Sequence, residues 1–273
     1  MPDAPTLTDR KALLLHRARS ATQPALFLHE EAAFEIEERL AEVNKSFIAP
    51  LFVGHPTAPL RSLLPEAAVI DDTDRLSVAP STHDLILHVF GLHWAEDPVG
   101  QLVQSRLALK PDGMFLGVLF GGATLQELRA VMAEAETRLT GGLSPRVLPM
   151  ADMRDLGGLL QRAGLALPVA DSRKWTVRYP DLGTLVRDLR GMGETNALAG
   201  RRRINSPRAL FETAEQLYHQ HFSSDGYLVA TFELVFLTGW APDASQPQPL
   251  RPGSAKSRLS EALGVPETPL KRE

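Results

Sequence analysis

Between Phe27 and Val43 the apolar residues fall at Phe27, Leu28, Ala32, Phe34, Ile36, Leu40 and Val43, with glutamates between them. That spacing follows the 3.6-residue helical turn and predicts an amphipathic helix with an acidic polar face. Asp9 to Ala21 sets Lys and Arg around Leu13, Leu14 and Leu15 and predicts a short basic helix. Compact apolar runs then alternate with helical ones. Phe47 to Val53, ending at Gly54, reads as a first strand, and Leu60 to Leu64 as a short helical piece. Ala67 to Ile70 is a short strand closed by Asp71 and Asp72, and Leu85 to Phe90 is another strand. Val99 to Leu109 has helical spacing. Lys110-Pro111-Asp112-Gly113 is turn chemistry, since Pro presets φ and Gly accepts positive φ. Met114 to Phe120 reads as a fully buried strand.

Strands alternating with helices predict βαβ units, a mostly parallel sheet and right-handed crossovers. In such sheets a ligand sits at the strand C-terminal ends, near the point where strand order reverses. Farther on, Ala123 to Leu139 is a long helix after Gly121-Gly122. Asp152 to Ala163 is a helix with Asp152 as N-cap and Gly164 as stop. Trp175 to Tyr179 alternates as a strand. Leu182 to Leu189 and Pro207 to Phe222 are helices, with Pro207 in the first turn. Ala230 to Trp240 is a closing strand. The expected organisation is one domain over residues 1–241, with a helical extension over 1–45, and a mostly disordered tail over 242–273 rich in Pro, Gln, Ser, Lys and Arg.

Composition narrows the chemistry. The 273 residues are 44% hydrophobic, enough for one sizeable core. A net charge of −4 gives no global basic field, so nucleic acid is not an expected partner. There is no cysteine, which excludes disulfides, thiolate metal sites and a thiol nucleophile. No His, Asp and Glu spacing resembles a metal site, and none is expected. No stretch is apolar for long enough to span a bilayer, and no basic region precedes an apolar run at the N-terminus, so the expected location is cytoplasmic.

Several blocks, in order along almost the whole chain, resemble one family. They begin with Asp9-Arg10, His83-Asp84-Leu85-Ile86, Leu92-His93-Trp94 and Leu109-Lys110-Pro111-Asp112-Gly113. Next come Phe120-Gly121-Gly122, Thr124-Leu125, Glu127-Leu128-Arg129, Ser144-Pro145, Asp155-Leu156-Gly157, Arg162-Ala163-Gly164 and Tyr179-Pro180. The last are Gly191-Met192-Gly193-Glu194, Asp225-Gly226, Ala230-Thr231, Gly239-Trp240 and Arg251-Pro252-Gly253-Ser254. The chain resembles the methyltransferase-like assembly factors of respiratory complex I, and more distantly the malonyl carrier methyltransferases of the biotin pathway. The resemblance implies a Rossmann-like class I methyltransferase fold: a mostly parallel sheet with helices on both faces and its last strand antiparallel. It also implies S-adenosylmethionine as the ancestral cofactor and a complex I subunit as partner.

The chain departs from that pattern where the cofactor should bind. The family's loop after the first strand reads Asp-x-Gly-x-Gly-x-Gly, because glycines let backbone approach the cofactor. Here the stretch is Leu51-Phe52-Val53-Gly54-His55-Pro56-Thr57-Ala58-Pro59, and only Gly54 survives. Leu51 or Phe52 stands for the acid, and Pro56 and Pro59 each remove a backbone donor. From Pro59 to Thr82 the chain is too short for the family's strand, helix and further strand, so the second and third strand region is expected to be shortened. Either cofactor binding is altered and weak, or the site is lost and the fold persists as a partner-binding module; loss is the expectation.

The candidate cofactor residues are Gly54, Asp71, Asp72, His93 and Trp94. Asp71 or Asp72 would meet ribose hydroxyls, or both simply mark a solvated turn. His93 and Trp94 would contact adenine or substrate, or Trp94 caps the core while His93 bonds a loop. His88 reads as a packed histidine with a backbone partner. Gly121-Gly122 reads as an anion-holding helix start or a tight turn. Gly191, Gly193, Glu194 and Asn196 form a candidate substrate or partner segment, or a helix connection that needs glycine dihedrals. Arg201-Arg202-Arg203 reads as solvated surface, with an acidic partner as the alternative. No catalytic nucleophile–base pair stands out.

Overall fold

The structure is a computed structural model that describes residues 6–247 and Gly264. Two helices lead, α1 (Arg10–Ser20) and α2 (Phe27–Glu42). Next come β1 (Pro50–Gly54), α3 (Ala58–Leu63), β2 (Ala68–Ile70), β3 (His83–Val89), a 3₁₀ turn (Leu92–Trp94), α4 (Pro98–Ala108) and β4 (Leu109–Phe120). The second half holds α5 (Gln126–Thr140), α6 (Met153–Arg162), β5 (Ala166–Tyr179), α7 (Leu182–Met192), α8 (Arg208–His221), β6 (Ser223–Ser224) and β7 (Tyr227–Trp240).

Among the described residues the strands form one seven-stranded sheet in the order β2-β1-β3-β4-β7-β5, with the two-residue β6 paired to β7. β2, β1, β3 and β4 run parallel; β7 is antiparallel to both β4 and β5. This is the expected Rossmann-like sheet with an antiparallel strand next to one edge. The expected shortening is also present. One strand, β2, lies between β1 and β3, and the chain from Asp71 to Thr82 forms no further strand.

Side-chain alternation explains the two layers. On β1, Phe52 faces one layer while Leu51 and Val53 face the other. On β4, Met114, Leu116, Val118 and Phe120 go with Phe52, and Phe115 and Leu119 go with Leu51. A period of two buries both faces only if each is covered. Apolar stripes of α2, α3, α5, α7 and α8 cover the first face, and those of α4 and α6 cover the second. A third, smaller cluster joins Leu13 of α1 to Trp94, Leu148 and Leu198.

Local chemistry sets the boundaries. Asp9, Asp97, Asp152 and Asp181 each accept a backbone N–H at the start of a helix. Pro207 is the N-cap of α8, one position before the first turn expected for it. Lys110–Gly113 is not a free turn. It is the irregular start of β4, with Asp112 at φ 57° and a register shift against His83 and Leu85.

The chain divides into one unit over Met1–Pro242 and a second over Asp243–Glu273. In the second, the Asp243 carboxylate accepts from the backbone and hydroxyl of Ser245. The tail expectation falls on residues 248–263 and 265–273, which lie outside the described residues.

Candidate functional site

Strand order reverses between β1 and β3, and the residues past their C-terminal ends form the first half of the site. Gly54 pairs with Val89 and has φ 109°. A Cβ there would lie 2.4 Å from the Val89 carbonyl oxygen, so the neighbouring strand requires glycine as much as the dihedral does. The His55 N–H donates to that oxygen at 3.4 Å. Pro59 then lies in the first turn of α3, where its missing donor costs nothing.

The two candidate acids after β2 part company. Asp71 is exposed, as a solvated turn would have it, while Asp72 is buried. Two guanidiniums from α1 close on Asp72: Arg10 Nη2 at 2.8 Å and Arg17 Nη1 at 3.3 Å from Oδ1. Arg17 is itself buried, and its Nη2 donates to the Phe90 carbonyl at 2.6 Å. Burial alone would raise the Asp72 pKa. The Arg10 hydrogen bonds and the Arg17 charge outweigh it and hold the carboxyl well below the usual range. Gly91 makes this approach possible, because a Cβ there would sit 2.6 Å from Asp72 Oδ2.

His88 is fully buried, and its partner is a side chain rather than the expected backbone group. Gln101 Nε2 donates to the Asp72 carbonyl at 3.0 Å, which leaves Gln101 Oε1 to accept from His88 Nε2 at 2.8 Å. Burial pushes the His88 pKa down to about 4, so the ring is neutral at pH 7. His29 is also pushed down to about 4 by burial, and its ring lies 4.6 Å from that of Phe90.

The second half of the site is a cavity of about 190 Å³ between α5, α7 and the ends of β4 and β7. Trp94, Phe120, Phe232, Leu128 and Leu189 give it an apolar lining, and Glu194 is the carboxylate in its wall. Trp94 Nε1 donates to Glu194 Oε2 at 2.8 Å, and His93 Nε2 lies 3.0 Å from the same oxygen. Burial would raise the Glu194 pKa; the charge and hydrogen bond of His93, the Arg17 charge and the Trp94 bond lower it on balance. Glu194 is thus a fixed anion, and neither bond falls on its Oε1.

The other members of that segment serve packing. A Cβ at Gly191 would lie 2.8 Å from Ala25 N and Gln23 O, both backbone atoms. Gly193 ends α7 at φ 79°, 3.1 Å (from its built Cβ) from Arg17 Cα. Asn196 donates to the Pro145 carbonyl and accepts from Leu198 N while also lining the cavity. At Gly121-Gly122 the anion is internal: Glu233 Oε2 accepts from Ala123 N at 2.9 Å. The Arg201–Arg203 run is not simply solvated. Arg201 and Arg203 pair with Asp9, and Arg202 with Glu136.

The sequence marks Arg10 only as part of the family block Asp9-Arg10 and gives Arg10, Arg17 and His29 no role at the site. A signal for the arginines existed, since residues seven apart share a helix face and both precede an acid-bearing strand end. Among the described residues no group of His, Asp and Glu could hold a metal ion, and no helix is long and apolar enough to cross a membrane.

No family model matches the chain. Among curated proteins it is 37% identical over 256 residues to the arginine-hydroxylase NDUFAF5, mitochondrial, of Danio rerio, covering 84% of this chain and 79% of that one. The Homo sapiens protein of the same name is 36% identical over 198 residues, 72% of this chain and 57% of that one. The malonyl-[acyl-carrier protein] O-methyltransferase of Methylovorus is 32% identical over 241 residues, 85% of this chain and 79% of that one. Among solved structures, a protein of Bacillus halodurans described as a methyltransferase aligns with TM-score 0.49 at 12% identity, covering 77% of this chain and 98% of that one.

Proposed function

The chain belongs to the NDUFAF5 family, and from that premise we propose that it is a methyltransferase-like assembly factor of respiratory complex I that acts by binding a protein partner, with S-adenosylmethionine binding weakened or lost. The observation that carries the proposal is the clamp of Arg10 and Arg17 on Asp72. A ribose diol needs a free carboxylate at the end of the second strand. Of the two acids that follow β2, Asp72 is buried against two guanidiniums of the same chain, and Asp71 is exposed to solvent. The glycine-rich loop is reduced to Gly54, and prolines follow it. These residues do not fit the cofactor.

The cavity supports the partner half of the proposal. An apolar, aromatic-lined hollow with one fixed carboxylate suits a long side chain with a cationic tip. The relatives are named arginine hydroxylases; an arginine side chain is accordingly the group presented, with Glu194 Oε1 as its acceptor. A complex I subunit as the partner, and a cytoplasmic location, belong to the same proposal, although those relatives are named mitochondrial.

Titration calorimetry with S-adenosylmethionine tests the central claim. No heat of binding at millimolar ligand is expected. Micromolar binding would overturn the proposal in favour of a working methyltransferase with a remodelled loop. For the partner, loss of the gene should lower assembled complex I, and normal assembly would count against the role.

A further inference from the structure

Beside the cavity lies an apolar groove of about 370 Å³ that shares Met132, Arg146 and Val147 with it as walls. The groove runs between α5 and the segment 141–150. Leu143, 70% exposed, stands on its rim, and Pro145 and Pro149 form part of its lining. The segment is not a loose loop. The Glu136 carboxylate holds it, accepting from Ser144 N at 3.0 Å, Ser144 Oγ at 2.7 Å and Arg146 Nε at 3.0 Å.

The charges around this groove do not cancel. Glu136 faces both Arg146 and Arg202. Arg129 lines the groove and has no ion pair among the described residues. Its Nη2 is tied to the carbonyls of Thr124 and Leu148, its Nε is buried without a partner, and Nη1 carries no hydrogen bond. The nearest acid on its own helix, Glu127, is committed to the backbone and hydroxyl of Thr231. The groove is therefore net positive, while the cavity beside it holds the Glu194 carboxylate together with Arg146, which is paired with Glu136.

We propose that this groove is the docking track for the segment of the partner that flanks the inserted arginine, and that this segment is acidic, with a carboxylate on Arg129. The inference rests on the reading that the cavity takes an arginine side chain. Arg146 lines both the groove and the cavity, so a cationic tip seated at Glu194 lies in the same cavity wall as a guanidinium, and an acidic flank offsets that repulsion while it satisfies Arg129.

The test uses fluorescein-labelled synthetic peptides with a central arginine and flanks that are acidic, neutral or basic, titrated against the whole chain. The acidic-flanked peptide should bind at least about tenfold more tightly than the neutral one, the scale of one charge-assisted hydrogen bond. Leu143→Asp, an exposed change, should abolish that preference. Arg129→Glu should reverse it in favour of the basic flank. Equal binding of all arginine peptides would overturn the groove while leaving the cavity reading intact. An acidic-flanked control peptide with alanine in place of the central arginine should bind far more weakly, and equal binding of that control would overturn the cavity reading. Failure of every peptide would sink both. If Arg129→Glu loses its cooperative melt, Leu143→Asp alone decides.

Discussion

At the scale of single residues, Asp72 and Glu194 are both buried carboxylates, yet their surroundings give them opposite availability. Asp72 is enclosed by Arg10 and Arg17, whereas Glu194 lines the cavity and takes the bonds of His93 and Trp94 on Oε2 alone. Removing one partner of a buried pair leaves the other charge uncompensated. Asp72→Asn should therefore cost about 3–5 kcal/mol in urea unfolding, and adding Arg17→Met should recover part of it. The same pair predicts a pH dependence. A carboxyl held low when folded contributes stability above its unfolded pKa near about 4, and loses it as pH falls through the folded value. Glu136, pushed down chiefly by the Arg146 hydrogen bonds to about 2, behaves likewise. Wild-type stability should fall between about pH 4 and 2, and Glu136→Gln should flatten that limb; an unchanged acid slope would show that the Arg146 clamp contributes nothing. The sequence named Asp71 and Asp72 together and could not separate them, because the deciding partners lie 62 and 55 residues away.

At the scale of elements, the block Gly191-Met192-Gly193 shows how much a glycine pair can be structural. Gly191 lets α7 touch the backbone that joins α1 to α2, and Gly193 lets it touch Arg17. These contacts seat α1, and with it the Asp72 clamp. Gly191→Ala forces a Cβ against backbone that cannot turn aside, so a cost of about 1–3 kcal/mol is expected in thermal or urea unfolding. A neutral result would mean α1 is held elsewhere. Most elements were legible because their burial is periodic: α2, β3, α4 and α6 lie within a few residues of the ranges that pattern predicts. β5 was read only from Trp175 although it begins at Ala166. Its first part carries Asp171, Ser172, Arg173 and Lys174 on an edge strand half open to solvent, so no apolar alternation marks it. Its register comes from β7, from Ala166 opposite Trp240 to Tyr179 opposite Leu228. The glycine contacts were likewise hidden, since they depend on which helix lies across α7.

At the scale of the whole molecule, the sheet keeps the order that creates a crevice between β1 and β3, yet the chain has placed α1 over it and dropped a strand beyond β2. A fold can keep its frame while its ligand changes, because the frame is held by two apolar layers that run the length of the sheet, of which only a few residues such as Val53, Val89 and Phe90 border the crevice. Thermal unfolding separates the two uses. A ligand at about a hundred times its dissociation constant stabilises the native state by about 2.7 kcal/mol. For a domain of this size each kcal/mol moves the midpoint by about 2–4 °C. A cofactor used by the protein should then raise the midpoint by roughly 5–10 °C. With millimolar S-adenosylmethionine a shift below about 1 °C is expected, and with saturating acidic-flanked arginine peptide the full shift. Glu194→Gln should remove the peptide shift, since the amide keeps the shape of the carboxylate but not its charge. A full shift with S-adenosylmethionine would mean that Arg10 and Arg17 release Asp72 when the nucleoside arrives, and α1 would then be a cover over a working site rather than its replacement.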